Sequence, residues 1–136
     1  MIVAVDTNIL LDLLIPNPEF LESSRKTLNQ YIEKASLIIG DVVYAELATQ
    51  FEDESLLKTF LVSTGIRRIS SNDEALWLAS RSWKKYHKNK KQKSRRVLAD
   101  FLVGAHAIVH AGHLITRDQG FYREYFDELK IIDPNQ

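Results

Sequence analysis

Short apolar runs separated by segments with helical spacing constrain the fold of this chain more than any other feature. The first run, residues 2–5, reads Ile-Val-Ala-Val, the pattern of a strand buried on both faces of a parallel sheet. Further strands are predicted at residues 37–39, 66–69, 114–116 and 130–132. Helices are predicted at residues 8–14, 19–34, 41–51, 55–62, 71 to 83 or 86, 95–111 and 121–128. This alternation predicts an α/β fold with a mainly parallel sheet of about five strands.

Several residues are of the types that begin or end helices. Asp41 is a good N-cap for the third predicted helix, and Ser71 with Glu74 has the spacing of a capping box. Ser94 is expected to cap the helix that follows it, and Gly112 to end that helix in a left-handed conformation.

Length and composition indicate one globular domain. The chain has 136 residues, 45% of them hydrophobic, so we expect a single domain over residues 1–136. The longest mixed apolar run, residues 97–115, contains an Asp and three His residues, which argues against a membrane protein. No basic, apolar leader precedes residue 6, so a cytoplasmic location is expected. Cysteine is absent, which leaves oxygen and imidazole as the groups able to hold a metal.

The balanced charge conceals a strong segregation. The chain carries 18 basic and 18 acidic residues, yet the span 75–99 contains no acidic residue and many lysines and arginines. The rest of the chain is therefore strongly acidic. This distribution predicts that a polyanion contacts the basic span and that a cation contacts acidic groups elsewhere.

Four carboxylates are expected near one edge of the sheet. Asp6 directly follows the first strand and Asp118 follows the fourth, and ligands of parallel sheets collect beyond such carboxyl ends. Asp100 lies in an apolar helix on a face of small residues, and Glu46 shares the inward face of Val43. Repulsion among four carboxylates would raise their pKa values. A hard divalent ion, Mg²⁺ or Mn²⁺, would relieve that repulsion.

Other interpretations of these residues stay open. Asp6 and Asp118 also suit turns or helix caps, and Asp100 could accept hydrogen bonds from backbone N–H groups. Asn8 could cap the first helix, and Thr116 could simply end a strand, although the Thr116 hydroxyl would face the same pocket as the acids.

The basic segment leads directly into the helix that carries Asp100. Its side chains could hold the phosphates on either side of a cleavage site; the candidate RNA-binding residues are Lys90, Lys91, Lys93, Arg95 and Arg96. A solvated, flexible linker is the alternative. Trp83 and Tyr86 could stack on bases, but their helical spacing favours a place in the core.

Two other kinds of catalytic site find little support. His106 and His110 have the spacing of a helical zinc site, but the glutamate of a metalloprotease helix is missing between them, so these residues and His113 are predicted to lie at the surface. No Gly-x-Ser-x-Gly sequence is present, which disfavours a serine hydrolase of the usual α/β type.

The ordered set of motifs resembles the PIN-domain nucleases over nearly the whole chain. The matching residues are Asp6-Thr7-Asn8-Ile9-Leu10, Glu46, Asp100 and Leu114-Ile115-Thr116-Arg117-Asp118. Length and the lack of an appended domain make the chain most similar to the VapC toxins of bacterial and archaeal toxin–antitoxin pairs. The chain departs from the resemblance in its lysine-rich segment at residues 86–96, which is more basic than the resemblance leads us to expect.

The resemblance implies a three-layer α/β/α fold and a metal-dependent endoribonuclease. Asp6, Glu46, Asp100 and Asp118 match the family's acidic quartet, which binds Mg²⁺ or Mn²⁺, and Asn8 and Thr116 match its supporting polar positions. It also implies an RNA substrate, an antitoxin partner and a homodimer.

Alternatives to a ribonuclease are a different metal-dependent phosphoryl hydrolase, an RNA-binding PIN-like module without turnover, and a phosphoacceptor signalling domain that binds Mg²⁺. Asn8 stands where an aspartyl-phosphate phosphatase would have a second aspartate. The signalling domain would also require paired acids after the first strand and a lysine after a late strand, and the sequence offers neither.

Overall fold

The computed structural model of this chain describes residues 1–88 and 96–135. The strands are β1 (Ile2–Val5), β2 (Ser36–Ile39), β3 (Ile66–Arg68), β4 (Gly112–Ile115) and β5 (Lys130–Ile132). The helices are α1 (Thr7–Leu14), α2 (Leu21–Ile32), α3 (Asp41–Ala48), α4 (Glu54–Thr64), α5 (Asp73–Lys88), α6 (Leu98–His110) and α7 (Gln119–Tyr125). No helix within the described ranges is long and apolar enough to cross a membrane.

The strands form one parallel sheet in the order β3-β2-β1-β4-β5. The chain first builds outward from β1 to β2 and β3, and then returns to place β4 on the other side of β1, with β5 beyond it. Right-handed crossovers in these two directions place helices on both faces of the sheet. The fold is therefore the predicted three-layer α/β/α arrangement with five strands.

The central strands are buried on both faces, as their continuous apolar sequences predict. Val3 and Val5 of β1, and Leu114 and Ile115 of β4, are at most 1% exposed. Burial of such side chains contributes about 25 cal/mol per Å² of apolar surface. The paired register of Val5 with Ile115 holds the carboxyl ends of β1 and β4 side by side.

Three predicted N-caps, Asp41, Ser71 and Ser94, were wrong. Gly40, not Asp41, is the N-cap of α3. The α5 helix is capped by Asn72 rather than Ser71, since Asn72 Oδ1 accepts a hydrogen bond from Ala75 N at 2.9 Å. The α6 helix begins at Leu98, after extended backbone at Val97. Ser94, the predicted cap, lies outside the described residues.

The end of α6 agrees with prediction. Ala111 is its C-cap and Gly112 follows with φ of +94°, a left-handed conformation that glycine adopts without strain.

The prediction that His106 lies at the surface was wrong. Its ring is buried, and its Nε2 atom lies 2.6 Å from the backbone oxygen of Ile69. Gly40 makes room for it, because a Cβ atom at that position would stand 3.0 Å from the imidazole. Desolvation by burial lowers the pKa of His106. His110 and His113 are only half-buried, and the ring of His110 accepts a hydrogen bond from Asn72 N at 3.1 Å.

Aromatic side chains join α5, α6 and α7 on one face of the sheet. Phe101 is fully buried and its ring contacts those of Trp83, Tyr86, Phe121, Tyr125 and Phe126. Trp83 and Tyr86 therefore pack in the core, as their helical spacing predicts. This cluster fixes the start of α6, and with it the position of Asp100.

Candidate functional site

The site lies where the two halves of the sheet diverge. β1 and β4 are neighbours, but the chain leaves β1 toward β2 and leaves β4 toward β5. Connections that depart in opposite directions open a crevice at the carboxyl ends of these strands. Asp6 follows β1, and Asp118 follows β4 after a turn through Thr116 and Arg117.

A cleft of about 240 Å³ occupies this position. Its lining consists of Asp6, Thr7, Asn8, Leu11, Glu46, Ala99, Asp100, Val103, Asp118 and Tyr122. The structure thus brings all four predicted carboxylates to one cleft, from four separate parts of the chain. Asn8 lines the same cleft, and Thr116 bonds to its residues.

Asp6 is the most enclosed of these carboxylates, with 8% of the residue exposed. Its Oδ1 accepts from Thr7 N at 2.8 Å, so Asp6 caps α1, and its Oδ2 accepts from Thr116 Oγ1 at 2.7 Å. Desolvation by burial raises the pKa of Asp6, and these hydrogen bonds only partly oppose that effect. The cap interpretation from sequence is therefore correct for Oδ1, while Oδ2 faces the other side chains of the site.

Thr116 and Asn8 connect the two strand ends. Thr116 has no exposed surface; its hydroxyl accepts from Asp118 N at 3.0 Å while it donates to Asp6. Asn8 Nδ2 lies 3.4 Å from both Asp6 Oδ2 and Thr116 Oγ1. These contacts hold the two acids that follow β1 and β4 at a fixed separation.

Tyr122 is a site residue that the sequence did not reveal. It is buried on α7, and its hydroxyl donates to Asp6 Oδ2 at 3.2 Å. Burial and the neighbouring acids raise the pKa of Tyr122, so the hydroxyl keeps its proton. The one sequence signal for Tyr122 is its position one helical turn after Asp118, which places the two residues on the same side of a helix that begins there.

Glu46 reaches the cleft from α3 but is more exposed than its inward prediction implied. Its Oε1 accepts from Thr7 Oγ1 at 2.7 Å. The residue is exposed to solvent, whereas Val43 on the same helix is buried. Glu46 therefore occupies the rim of the cleft, opposite the enclosed Asp6.

Asp100 lies in the first turn of α6 and is half-buried. Its Oδ2 accepts from Val97 N at 3.0 Å, which leaves the other oxygen free of hydrogen bonds among the described residues. The small-residue face predicted for this helix is real, because a Cβ atom on Gly104 would stand 2.4 Å from the Phe126 ring. The tight packing lies one turn beyond Asp100, which itself lines the cleft.

Asp118 is paired with Arg96. The guanidinium donates to Asp118 Oδ2 at 2.6 Å and to Oδ1 at 3.2 Å. Arg96 was predicted to contact RNA phosphates; in the structure it faces the acidic cleft. Lys90, Lys91, Lys93 and Arg95, the other residues of that prediction, lie outside the described residues.

A second ion pair, between Arg117 and Asp12, fixes the loop that carries Asp118. Arg117 donates to both oxygens of Asp12, at 3.1 and 2.8 Å, and its guanidinium lies 3.9 Å from the centre of the Phe20 ring. Asp12 is buried and also accepts from Ser24 Oγ at 2.7 Å. This pair ties the loop after β4 to α1, so the loop that carries Asp118 cannot shift independently of Asp6.

The donor set has the chemistry that Mg²⁺ and Mn²⁺ prefer, since carboxylate, amide and hydroxyl oxygens line the cleft. Burial raises the pKa of Asp6, and a bound cation would oppose that effect. Over residues 1–88 and 96–135, no three acidic or histidine side chains are placed to hold one ion together. The negative charge of Asp118 is instead compensated by the Arg96 guanidinium. The residues fit a divalent ion by chemistry, with Asp118 held by another cation in this conformation.

The fold and the cleft define a class of α/β proteins with carboxylates at the switch point of a parallel sheet. A sequence profile of the PIN domain matches residues 3–126. The chain therefore belongs to the PIN domain family.

Solved structures support the same fold. A chain of VapBC2 from Rickettsia felis, bound to a promoter DNA fragment, is similar with a TM-score of 0.73 at 17% identity, covering 98% of each chain. VapBC-1 from nontypeable Haemophilus influenzae gives 0.70 at 20% identity over 100% of each chain. A toxin–antitoxin complex from Klebsiella pneumoniae gives 0.70 at 20% identity over 97% of each chain. No curated protein sequence matches.

Proposed function

We propose that this protein is a metal-dependent endoribonuclease that hydrolyses RNA phosphodiester bonds, and that it is the toxin of a type II toxin–antitoxin pair. One observation carries the proposal: Asp6, Glu46, Asp100 and Asp118 line a single cleft at the switch point of the sheet. Membership of the PIN domain family supports it. We also propose that residues 1–136 act as one domain, in agreement with the extent of the family match.

Mg²⁺ or Mn²⁺ would be held chiefly by Asp6, with Asp100 and Asp118 completing the set of ligands. When bound, such an ion supplies a water of lowered pKa and neutralises charge that develops on the phosphate oxygens. Glu46 either joins the ligands or orients the attacking water from the rim, where its carboxylate is open to solvent. Thr116 and Asn8 keep Asp6 oriented toward the cleft through their hydrogen bonds.

RNA would be held mainly through its phosphates. Arg96 stands at the cleft, and Lys90, Lys91, Lys93 and Arg95 precede it in sequence; the proposed role of these five side chains is to contact RNA phosphates. Such contacts give affinity without base specificity. The choice of RNA then depends on the shape around the cleft rather than on this segment.

The proposed partner is an antitoxin that covers the cleft. The structural similarity to VapBC chains and to a toxin–antitoxin complex supports this assignment. By the same similarity we propose a homodimer in the cytoplasm.

The test is RNA cleavage by the isolated protein. A mixture of cellular RNAs is incubated with Mg²⁺ or Mn²⁺ and with chelator, using wild type, Asp100→Asn, and Asp127→Asn as a control that removes an exposed carboxylate outside the cleft. Discrete fragments that require both metal and Asp100, and persist in Asp127→Asn, are the expected result. Cleavage that survives single Asn or Gln replacement of all four acids would overturn the assignment.

An RNA-binding module without turnover is the second candidate, and the Arg96–Asp118 pair favours it, because in this conformation the guanidinium occupies a carboxylate that a catalytic metal ion would require. RNA bound without any metal-dependent fragments, in protein that also binds Mn²⁺, would select this alternative.

A further inference from the structure

Arg96 is anchored in the fold rather than extended into solvent. Its backbone N–H donates to the hydroxyl of Tyr86 at 2.8 Å, and its guanidinium lies 4.4 Å from the centre of the Phe121 ring. Only 23% of its side chain is exposed. The contacts come from α5 and α7, so Arg96 is held where those helices meet the cleft.

The guanidinium uses both oxygens of Asp118. The two hydrogen bonds, at 2.6 and 3.2 Å, form the forked arrangement in which arginine binds a carboxylate most strongly. The hydrogen bonds that Arg96 donates to Asp118 raise the pKa of Arg96, with a smaller contribution from the charge of Asp100. Arg96 is therefore the positive charge that compensates the acidic cleft in this conformation.

We infer that Arg96 is an internal competitor of the divalent cation for Asp118. This inference rests on the proposed function, because it concerns the same metal-binding carboxylates. The oxygens that bind the guanidinium are the oxygens an ion would require, so the two cations exclude each other at Asp118. By linkage, ion binding must release Arg96 to the same extent that Arg96 weakens ion binding. The pair sets the metal concentration at which the cleft becomes loaded.

The direct test is the affinity for Mn²⁺ alone, measured by electron paramagnetic resonance of the free ion. Arg96→Gln removes the competitor and should bind Mn²⁺ about fivefold more tightly than wild type, the upper end of the range for a partly exposed ion pair. Arg123→Gln is the matched control: it removes the same charge from an exposed position on α7. It should change the affinity less than about twofold, since solvent screens such a charge. Equal affinities in the two variants would overturn the inference.

A measurement on the unaltered chain avoids any effect of substitution on folding. Arginine side-chain ¹⁵N resonances are followed while Mg²⁺ is added. As the ion binds, the Arg96 signals should change from those of a guanidinium with hindered rotation to those of a freely rotating one. Signals that stay unchanged while Mg²⁺ saturates the protein would overturn the inference.

The outcomes also separate this inference from the proposed function. Tighter Mn²⁺ binding by Arg96→Gln, together with no RNA cleavage by the wild-type protein in the presence of metal, would support the competition and overturn the ribonuclease assignment. Metal-dependent RNA cleavage by wild type, with no change of Mn²⁺ affinity in Arg96→Gln, would support the ribonuclease assignment and overturn the competition.

Discussion

The hydroxyl of Tyr122 donates to Asp6 Oδ2 at 3.2 Å, on the same oxygen that accepts from Thr116. One buried carboxylate oxygen thus accepts hydrogen bonds from two hydroxyl groups, that of Tyr122 on α7 and that of Thr116 at the end of β4. Because Tyr122 keeps its proton, the bond always favours the charged form of Asp6. Tyr122, one helical turn after Asp118, therefore joins Thr116 and Thr7 in stabilising the charged form of the most enclosed acid.

Tyr122→Phe removes that donor without changing the packing of the ring. We expect Mn²⁺ affinity and the rate of RNA cleavage to fall by about tenfold, as is typical when a hydrogen-bond partner of a metal ligand is lost. The free energy of unfolding should fall by about 1 kcal/mol. Tyr125→Phe is the control, because its ring packs against Phe101 and no hydrogen bond of its hydroxyl occurs among the described residues. Equal losses in both variants would contradict a specific role for Tyr122.

Asp6→Asn should abolish metal-dependent cleavage and stabilise the metal-free protein at neutral pH. Burial raises the pKa of Asp6 above its ordinary value of 3.8, so its contribution to stability is fully present below 3.8 and is lost as pH rises through the folded-state pKa. Asparagine carries no charge, so the variant does not lose stability as the pH rises. Unfolding by urea should show the variant more stable than wild type at pH 7, with the difference vanishing near pH 3. A variant less stable than wild type at pH 7 would contradict the assigned desolvation.

Arg117→Met should destabilise the protein by about 3 kcal/mol, because it leaves the buried Asp12 carboxylate without its counter-ion. The double variant with Asp12→Leu should recover most of that loss, as it also removes the unpaired charge. Arg25→Met, which breaks an exposed pair with Glu22 at 3.3 Å, should cost less than about 0.5 kcal/mol. Denaturant titration measures all three; additive losses in the double variant would show that the pair is not coupled.

Gly104→Ala should destabilise by about 1–3 kcal/mol, since the new methyl group would stand 2.4 Å from the Phe126 ring. Gly120→Ala is the matched substitution on α7, where a Cβ atom meets nothing within 4 Å. It should be neutral or stabilise by up to about 1 kcal/mol through helix propensity. Thermal unfolding of the two variants compares them directly, and a tolerated Gly104→Ala would show that α6 can shift away from Phe126.

The buried His106 should make stability depend on pH in the weakly acidic range. Burial lowers its pKa below 6.5, so its contribution is fully present above 6.5 and is lost as pH falls through the folded-state pKa. His106→Gln should reduce this dependence in urea unfolding between pH 7 and 5. Part of it should persist, because burial also lowers the pKa of His113. An unchanged pH dependence in the variant would contradict the lowered pKa of His106.

The sheet could be predicted because its signal is local. The central strand β1 is a short apolar run, and each carboxylate that follows a parallel strand lies at the same edge of the sheet. Asp6 and Asp118 were therefore placed correctly before any contact was known. Helix starts were less predictable, since Asn72 caps α5 although Ser71 offers an equally suitable hydroxyl.

Contacts between distant parts of the chain could not be predicted. Arg117 pairs with Asp12 across 105 positions, and nothing in the sequence near either residue distinguishes that partner from any other. His106 was misplaced because its spacing from His110 indicated a polar strip; its burial depends on the space left by Gly40 and on a carbonyl of the loop after β3. Arg96 was predicted from charge alone to face RNA, whereas geometry directs it to Asp118.

The acids of the cleft come from α3, the start of α6 and the ends of β1 and β4, so their spread along the chain has a consequence during translation. A nascent chain shorter than 118 residues has no fourth carboxylate and no strand β5. Nearly all of the 136 residues must leave the ribosome before the cleft can assemble. A polypeptide released after residue 96 but before residue 118 would carry the basic segment without the complete acidic cleft.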